Sequence, residues 1–388
     1  MLRRNDLSHS TGPVSTVRPV NPGNGEYRPG VADKATALCA RLLGAVAGRF
    51  PARLWRALGL RRNRDGDVLD PDVWATLASL KLVSSLDIVD VPAVHSRRIV
   101  EREATLASGR VPVAAVTDGS IAGVPVRVYL DRPSEPADPR PRPTLVYLHG
   151  GGWVTGSLDS HDAACRSLCT GGGVTVVAVD YRLAPEHPFP AALEDATAVV
   201  AALQDGASAA GTAVDTGRLV VAGDSAGGNL AASCCLWLRE NGRGQPALQQ
   251  LFVPVTDLSS RTESYREFGD EGLYLTAEQM DWYEHHYLGR SRDLILAEDP
   301  GNPLISPLLA ADLTGLAPAY VAVAGFDPLR DEGEAYAERL REAGVPVTLR
   351  RHRGLVHPFV NSVALWAGAR RAMVDATTHL RTTLGTHG

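Results

Sequence analysis

Ser225 lies in Gly223-Asp224-Ser225-Ala226-Gly227-Gly228, a Gly-x-Ser-x-Gly pattern. Raised on a sharp strand-to-helix turn, such a serine is an exposed nucleophile. The flanking glycines let that turn close without side-chain clashes. The start of the following helix points free N–H groups and a positive dipole end at the hydroxyl. Acyl transfer also needs a base, an orienting acid and donors aimed where an oxygen becomes negative. His149-Gly150-Gly151-Gly152-Trp153 supplies three consecutive glycines whose backbone can approach a substrate closely. The N–H groups of Gly151, Gly152 and Ala226 are therefore assigned to an oxyanion hole. Trp153 and Asp224, beside these groups, are candidates for substrate contact. The acid candidate is Asp327 in Gly325-Phe326-Asp327-Pro328-Leu329-Arg330-Asp331, at the carboxyl end of a predicted strand, where ligands meet open α/β sheets. Asp331, a helical turn further on, is the rival and suits a structural role better. His357 follows the last predicted strand and completes the chain order Ser, Asp, His.

These groups need a scaffold that brings distant segments together. Arg218–Ala222 reads as a buried strand and Asn229–Arg239 as the helix after the turn. Around them the pattern alternates. Strands are predicted at 144–148, 174–179, 248–253, 319–324 and 345–350, and helices at 161–169, 191–204, 333–343 and 360–380. Strands alternating with helices imply an α/β fold with a mostly parallel sheet covered on both faces. Val111–Val116 and Val124–Leu130 read as an antiparallel pair separated by Gly119 and Gly123. The rhythm breaks between Val255 and Ala319. An insertion over about 257–316, containing the capping box Thr276-Ala277-Glu278-Gln279, is the candidate cap, together with helical segments before the sheet.

The chain thus divides into a loose arm over 1–32, an N-terminal helical cap segment over 33–108 and a catalytic domain over 109–388. Within the second part, Asp72–Leu86 and Ile99–Ala107 have helical patterns. A further apolar stripe through Leu38, Leu42, Leu43, Val46, Leu54, Trp55 and Leu58 is flanked by arginines. It admits two readings, a helix face packed on its own protein or a basic face laid on an anionic membrane.

Composition sets outer bounds. The chain has 388 residues, 44% hydrophobic and 21% charged, with a net charge of −5, so nothing draws it globally to nucleic acid. No apolar run reaches the roughly 18 residues of a membrane span, and the first residues lack the core of a secretion signal. The five cysteines are odd in number and show no zinc spacing. They read as small buried thiols in a reducing cytoplasm, with no metal site.

In combination, His149-Gly150-Gly151-Gly152, Asp180-Tyr181-Arg182-Leu183-Ala184-Pro185-Glu186, Gly223–Gly228, Asp327–Asp331 and His357 resemble the α/β-hydrolase esterases of the hormone-sensitive-lipase family, over roughly residues 110–385. The resemblance implies an α/β-hydrolase fold with an eight-stranded sheet and a helical cap. It also implies no metal, no cofactor, and hydrolysis of small-molecule carboxylic esters of short to medium acyl chain. A specialised deacetylase, an amidase or a lipase is the alternative within that chemistry. Gibberellin receptors resemble the same family but lack the catalytic histidine. All three triad candidates stand here, which argues against a purely binding role. An exposed edge strand is the place for a homodimer contact. Two further expectations follow. Arg182 and Glu186 should pair beneath the site. Pro358, where the family carries Gly, should hold His357 extended.

Overall fold

The computed structural model describes residues 61–83, 87–107, 109, 111–133, 140–289 and 297–386. The arm at 1–32, the apolar stripe over 38–58 and Cys39 lie outside the described residues. The strands are β1 (Ala115–Ile121), β2 (Val124–Leu130), β3 (Arg142–Leu148), β4 (Thr175–Val179), β5 (Val214–Asp224), β6 (Leu248–Phe252), β7 (Ala319–Phe326) and β8 (Val347–Val356). They form one eight-stranded sheet in the order β1-β2-β4-β3-β5-β6-β7-β8. The pairs β1/β2 and β2/β4 are antiparallel and the others parallel.

The predicted α/β alternation stands, with one displaced turn. Gly119 lies inside β1, opposite Val126, and the hairpin turns instead at Ala122-Gly123. Both turn residues have positive φ, 51° and 81°. Two adjacent residues in that region are what a two-residue hairpin with the native strand twist requires.

The central strands are apolar at successive positions because both sheet faces are covered. In β5, Leu219 and Val221 face one core, and Val220 and Ala222 the other. Full burial of a side chain such as Val220 or Val221 contributes roughly 1.5–3 kcal/mol.

The helices are α1 (Pro71–Val83), α2 (Ala93–Ala107), α3 (Asp162–Gly172), α4 (Ala191–Gln204), α5 (Ala226–Glu240), α6 (Glu263–Phe268), α7 (Ala277–Tyr287), α8 (Arg330–Glu342) and α9 (Ala367–Leu384). Leu193 of α4, Leu230 of α5 and Leu340 of α8 join the first core. Leu168 of α3 and Ala372 of α9 join the second. Cys165 and Cys169 are buried in α3, and Cys234 and Cys235 in α5, all as free thiols.

Over the carboxyl ends of the strands sit α1, a 3-10 turn at Ile88–Asp90, α2 and α7. The capping box forms as its spacing predicts. Gln279 N–H donates to Thr276 Oγ1, and Thr276 N–H to Gln279 Oε1, each at 3.2 Å. The same Gln279 side chain donates to Asp87 at 3.0 Å and so joins the insertion to the N-terminal segment. Arg61 pairs with Glu271, and Arg64 with Asp331 at 2.7 Å, which fastens the start of the described chain to the catalytic body. No helix among the described residues is long and apolar enough to cross a membrane.

Candidate active site

β5 delivers Ser225 and α5 begins at Ala226. Between them Ser225 adopts φ 55° and ψ −119°, a conformation that costs of the order of 1–3 kcal/mol. Its neighbours hold it there. Ser225 N–H donates to Phe252 O at 2.9 Å, and Ser225 O accepts from Asn229 N–H at 3.0 Å and Val255 N–H at 3.2 Å. Position 227 must be glycine for reasons of space, since a Cβ would lie 1.9 Å from Leu148 O.

β7 ends one residue before Asp327, which is fully buried. Its Oδ1 accepts the N–H of Leu329 at 3.0 Å, which fixes the carboxylate plane. Oδ2 lies 2.9 Å from His357 Nδ1, and His357 Nε2 lies 2.9 Å from Ser225 Oγ. Three segments far apart in sequence thus meet in one hydrogen-bonded line. Asp331 points elsewhere, accepting from Ser264 N–H at 2.9 Å and from Arg64.

The extended backbone expected at His357 is not found. Val356 is extended, at φ −114° and ψ 173°, while His357 opens the 3-10 turn His357–Asn361. Pro358 sits in the first turn, where a missing N–H leaves no acceptor unsatisfied, so proline is accommodated there.

β3 leads into the glycine segment. Gly152 has φ 58°, and a Cβ there would come within 2.1 Å of the Tyr283 ring, so a larger residue would displace α7. Among the described residues, the N–H groups of Gly151, Gly152 and Ala226 have no protein acceptor. That of Ala226 is an orphan donor of the first turn of α5.

Asp224 lines the cavity beside Ser225, but its carboxylate is engaged by the protein. Its Oδ1 accepts from Tyr147 Oη at 2.6 Å and from Gly150 N–H at 3.0 Å, and its Oδ2 lies 3.2 Å from His161 Nε2. Burial pushes the Asp224 carboxyl upward in pKa, but His161 and the Tyr147 hydroxyl outweigh it and hold the group below the usual carboxylate range. Along a strand, successive side chains point to opposite faces. The residue before the nucleophile is therefore turned toward β3 and the glycine loop. His149 is fully buried, and burial with His161 nearby drives it down to about 3, so the ring is neutral. Tyr181 stacks on that ring at 4.2 Å and donates to His149 O at 2.6 Å.

Trp153 has no exposed surface and stacks on Tyr287 with centroids 4.1 Å apart, though it also belongs to the cavity wall. Arg182 and Glu186 do not pair with each other. Arg182 engages Asp195 and Glu194, and Glu186 pairs with Arg97 of α2. Arg97 also donates to Val154 O at 2.8 Å and Ala184 O at 2.9 Å, which ties the N-terminal segment to the glycine loop.

Behind the acid, Glu332 is fully buried and accepts from Thr256 N–H at 2.7 Å, while its Oε2 has no partner. Burial raises its pKa well above the ordinary 4.5. The native state thus keeps a proton that the unfolded chain releases, and the fold loses stability as pH rises between the two pKa values. Glu332→Gln mimics the protonated form. It is expected to raise Tm by an amount that grows from about pH 5 to pH 8. An offset independent of pH would contradict the neutral carboxyl.

The Ser225–His357–Asp327 line opens into a cavity of about 480 Å³, whose wall includes Ser225 and His357. Its wall includes Leu77, Ile88 and Val100 from the N-terminal segment and Leu275, Met280 and Tyr283 from the insertion. Both the volume and the apolar lining suit a small organic molecule. No group of three or more His, Cys, Asp or Glu among the described residues is arranged to hold a metal ion.

Comparison with known proteins shows the family and the fold. Residues 145–361 match the α/β-hydrolase fold family. The chain belongs to that family, among the esterases of the hormone-sensitive-lipase type. This α/β hydrolase is 42% identical over 340 residues to the carboxylic ester hydrolase LipN of Mycobacterium tuberculosis, covering 85% of this chain and 87% of that one. It is 36% identical over 317 residues to an ethyl acetate hydrolase of Pseudomonas putida, covering 79% and 96%. Among solved structures, the ester hydrolase EH1AB1 from the Lake Arreo metagenome superimposes with a TM-score of 0.76. It shares 37% identity, covering 82% of this hydrolase and all of that chain.

Of the residues around the site, Tyr147, His161 and Tyr283 were given no role from the sequence, and Tyr181 entered only within the Asp180–Glu186 motif. Tyr147 and Tyr181 sit in or beside apolar strands, and neither His161 nor Tyr283 belongs to a local pattern.

Proposed function

We propose that this chain hydrolyses small carboxylic esters through an acyl-enzyme formed on Ser225. The observation that carries the reading is the 2.9 Å and 2.9 Å line from Ser225 Oγ through His357 to Asp327, at the floor of the cavity. His357 Nε2 takes the hydroxyl proton as Oγ attacks the ester carbonyl. Asp327 holds the tautomer that leaves Nε2 free to accept, and stabilises the imidazolium. The carbonyl oxygen, now negative, receives hydrogen bonds from the unengaged N–H groups of Gly151, Gly152 and Ala226. His357 then gives its proton to the departing alcohol. Water repeats the sequence on the acyl-enzyme, which releases the acid and restores Ser225.

A cavity of about 480 Å³, lined on its cap side by Tyr283 and Met280 among others, supports acyl chains of short to medium length. The likeness to an ethyl acetate hydrolase leans the same way. A series of p-nitrophenyl esters from acetate to palmitate tests this. kcat/KM is expected to peak at or below about eight carbons. A peak at palmitate in emulsion would make the enzyme a lipase.

The buried Asp224 supports the oxyanion hole through Gly150, so Asp224→Asn is expected to lower kcat by about 10²-fold while KM changes little. Asn keeps an acceptor but carries no charge for His161 and offers an amide where an acceptor is needed. Equal losses on kcat and on thermal stability, removed by a stabilising background, would reduce Asp224 to a packing role.

A further inference from the structure

We propose that the cavity above Ser225 selects esters bearing a cationic ammonium group, held between Glu103, Asp87 and Asp90 and the rings of Tyr274 and Tyr283. This rests on the ester-hydrolase reading and adds a substrate class to it. The cavity wall contains four carboxylates, Asp87, Asp90, Glu103 and Asp224, and among the described residues that form it there is no Lys or Arg. Asp224 is engaged by Tyr147, Gly150 and His161. The other three line the cap side, Asp87 as N-cap of the 3-10 turn, Asp90 on it and Glu103 on α2. Among the described residues each accepts only one or two hydrogen bonds, from Gln279 and Val89 N–H, from Asp87 N–H and from Tyr274 respectively.

The same wall carries two tyrosine rings. Tyr283 lies against the glycine loop, where a Cβ at Gly152 would meet its ring. Tyr274 enters the wall from the loop before α7 with φ 87°, a backbone conformation seldom taken by a bulky residue. Its hydroxyl donates to Glu103 Oε2 at 3.2 Å, which sets ring and carboxylate side by side. Glu103 is pushed up in pKa by burial and by the nearby Asp87, against the pull of Tyr274 and of the exposed Arg102, which is not in the wall. A cation arriving there relieves the repulsion between Glu103 and Asp87. Tyrosine faces attract it through their quadrupole, and the burial of Glu103 strengthens the attraction to that carboxylate, while Asp87 and Asp90 are exposed and act through solvent. An ester ending in a carboxylate or phosphate meets the same field with the opposite sign.

The test compares kcat/KM for matched pairs at low salt near pH 8. One pair is butyrylcholine and its uncharged tert-butyl isostere, with the cation on the alcohol side. The other is ethyl trimethylammonio-butyrate and its carbon isostere, with the cation on the acyl side. A butyrate ester whose alcohol ends in a carboxylate completes the set. The expected result is a preference of about tenfold for the cation in one of the two pairs, and a loss of about tenfold for the anion. The preference should shrink as salt rises. It should fall at least about threefold in Glu103→Gln and further in the Glu103→Gln, Asp87→Asn double variant. Each ratio is taken on a single preparation, so losses common to both esters cancel. The salt titration of the wild type stands even if the double variant does not fold. Ratios within about twofold in both pairs would overturn the proposal, as would a preference unmoved by salt and by Glu103→Gln. Failure to turn over the uncharged isosteres would instead count against ester hydrolysis itself.

Discussion

Ser225→Ala is expected to reduce kcat/KM on p-nitrophenyl butyrate by about 10⁶-fold. The substitution removes only the Oγ that lies 2.9 Å from His357 Nε2, and leaves every backbone hydrogen bond of the turn in place. Alanine at φ 55° is about as strained as serine, so the thermal midpoint should stay close to the parent value. Whatever rate persists comes from cavity binding and the oxyanion donors acting on attacking water. A purified Ser225→Ala enzyme with near-parental turnover would remove Ser225 as nucleophile. Loss of rate together with loss of fold would call for Ser225→Gly or Ser225→Cys to separate the two.

Asp327→Asn is expected to cost about 10⁴-fold in kcat with little change in KM. The reason is tautomeric. The amide would accept the Leu329 N–H through Oδ1, as the carboxylate does at 3.0 Å, and present its NH₂ to His357 Nδ1. That nitrogen would then have to accept, placing the ring proton on Nε2, where it can no longer take the proton of Ser225. Asp331→Asn serves as the control. Its carboxylate bonds Arg64 and the start of α6, away from the imidazole, so its rate should remain within a few-fold of the parent. If the two variants exchanged these outcomes, the acid would be Asp331.

The parts of this site readable in the sequence are those fixed by chain-local constraints. A nucleophilic serine needs a strand, a tight turn and a helix in immediate succession, and each leaves its own mark in residues 218–239. The acid and the base each follow the end of a parallel strand, so counting strands places them on the same edge of the sheet. What the sequence did not reveal depends on contacts across elements. Nothing near Arg182 says that its partner is Asp195 on α4, or that Glu186 answers to Arg97 on α2. The short charged motif offered an internal pair that was near in number but not in space. Asp224 adjoins Ser225 and lines the same cavity, yet its bonds to Tyr147 and the Gly150 N–H come from β3 and the loop after it, which nothing local to the motif announces. The β1–β2 turn was misplaced because Gly119 and Gly123 carry the same local signal. The pairing of β1 with β2, Ile121 opposite Val124, is what puts the bend at Ala122-Gly123.

The side-chain amide of Asn229, one turn into α5, donates to Val255 O at 3.0 Å and to Ile305 O at 2.8 Å. Leu308 N–H adds a bond to Thr256 O at 2.9 Å. The two ends of the long excursion between β6 and β7 are therefore buckled together on the same helix that begins after Ser225. Such a cassette can lengthen, shorten or be exchanged between paralogues while its hem stays stitched. The family can in this way diversify what it recognises without re-engineering the reaction centre beneath.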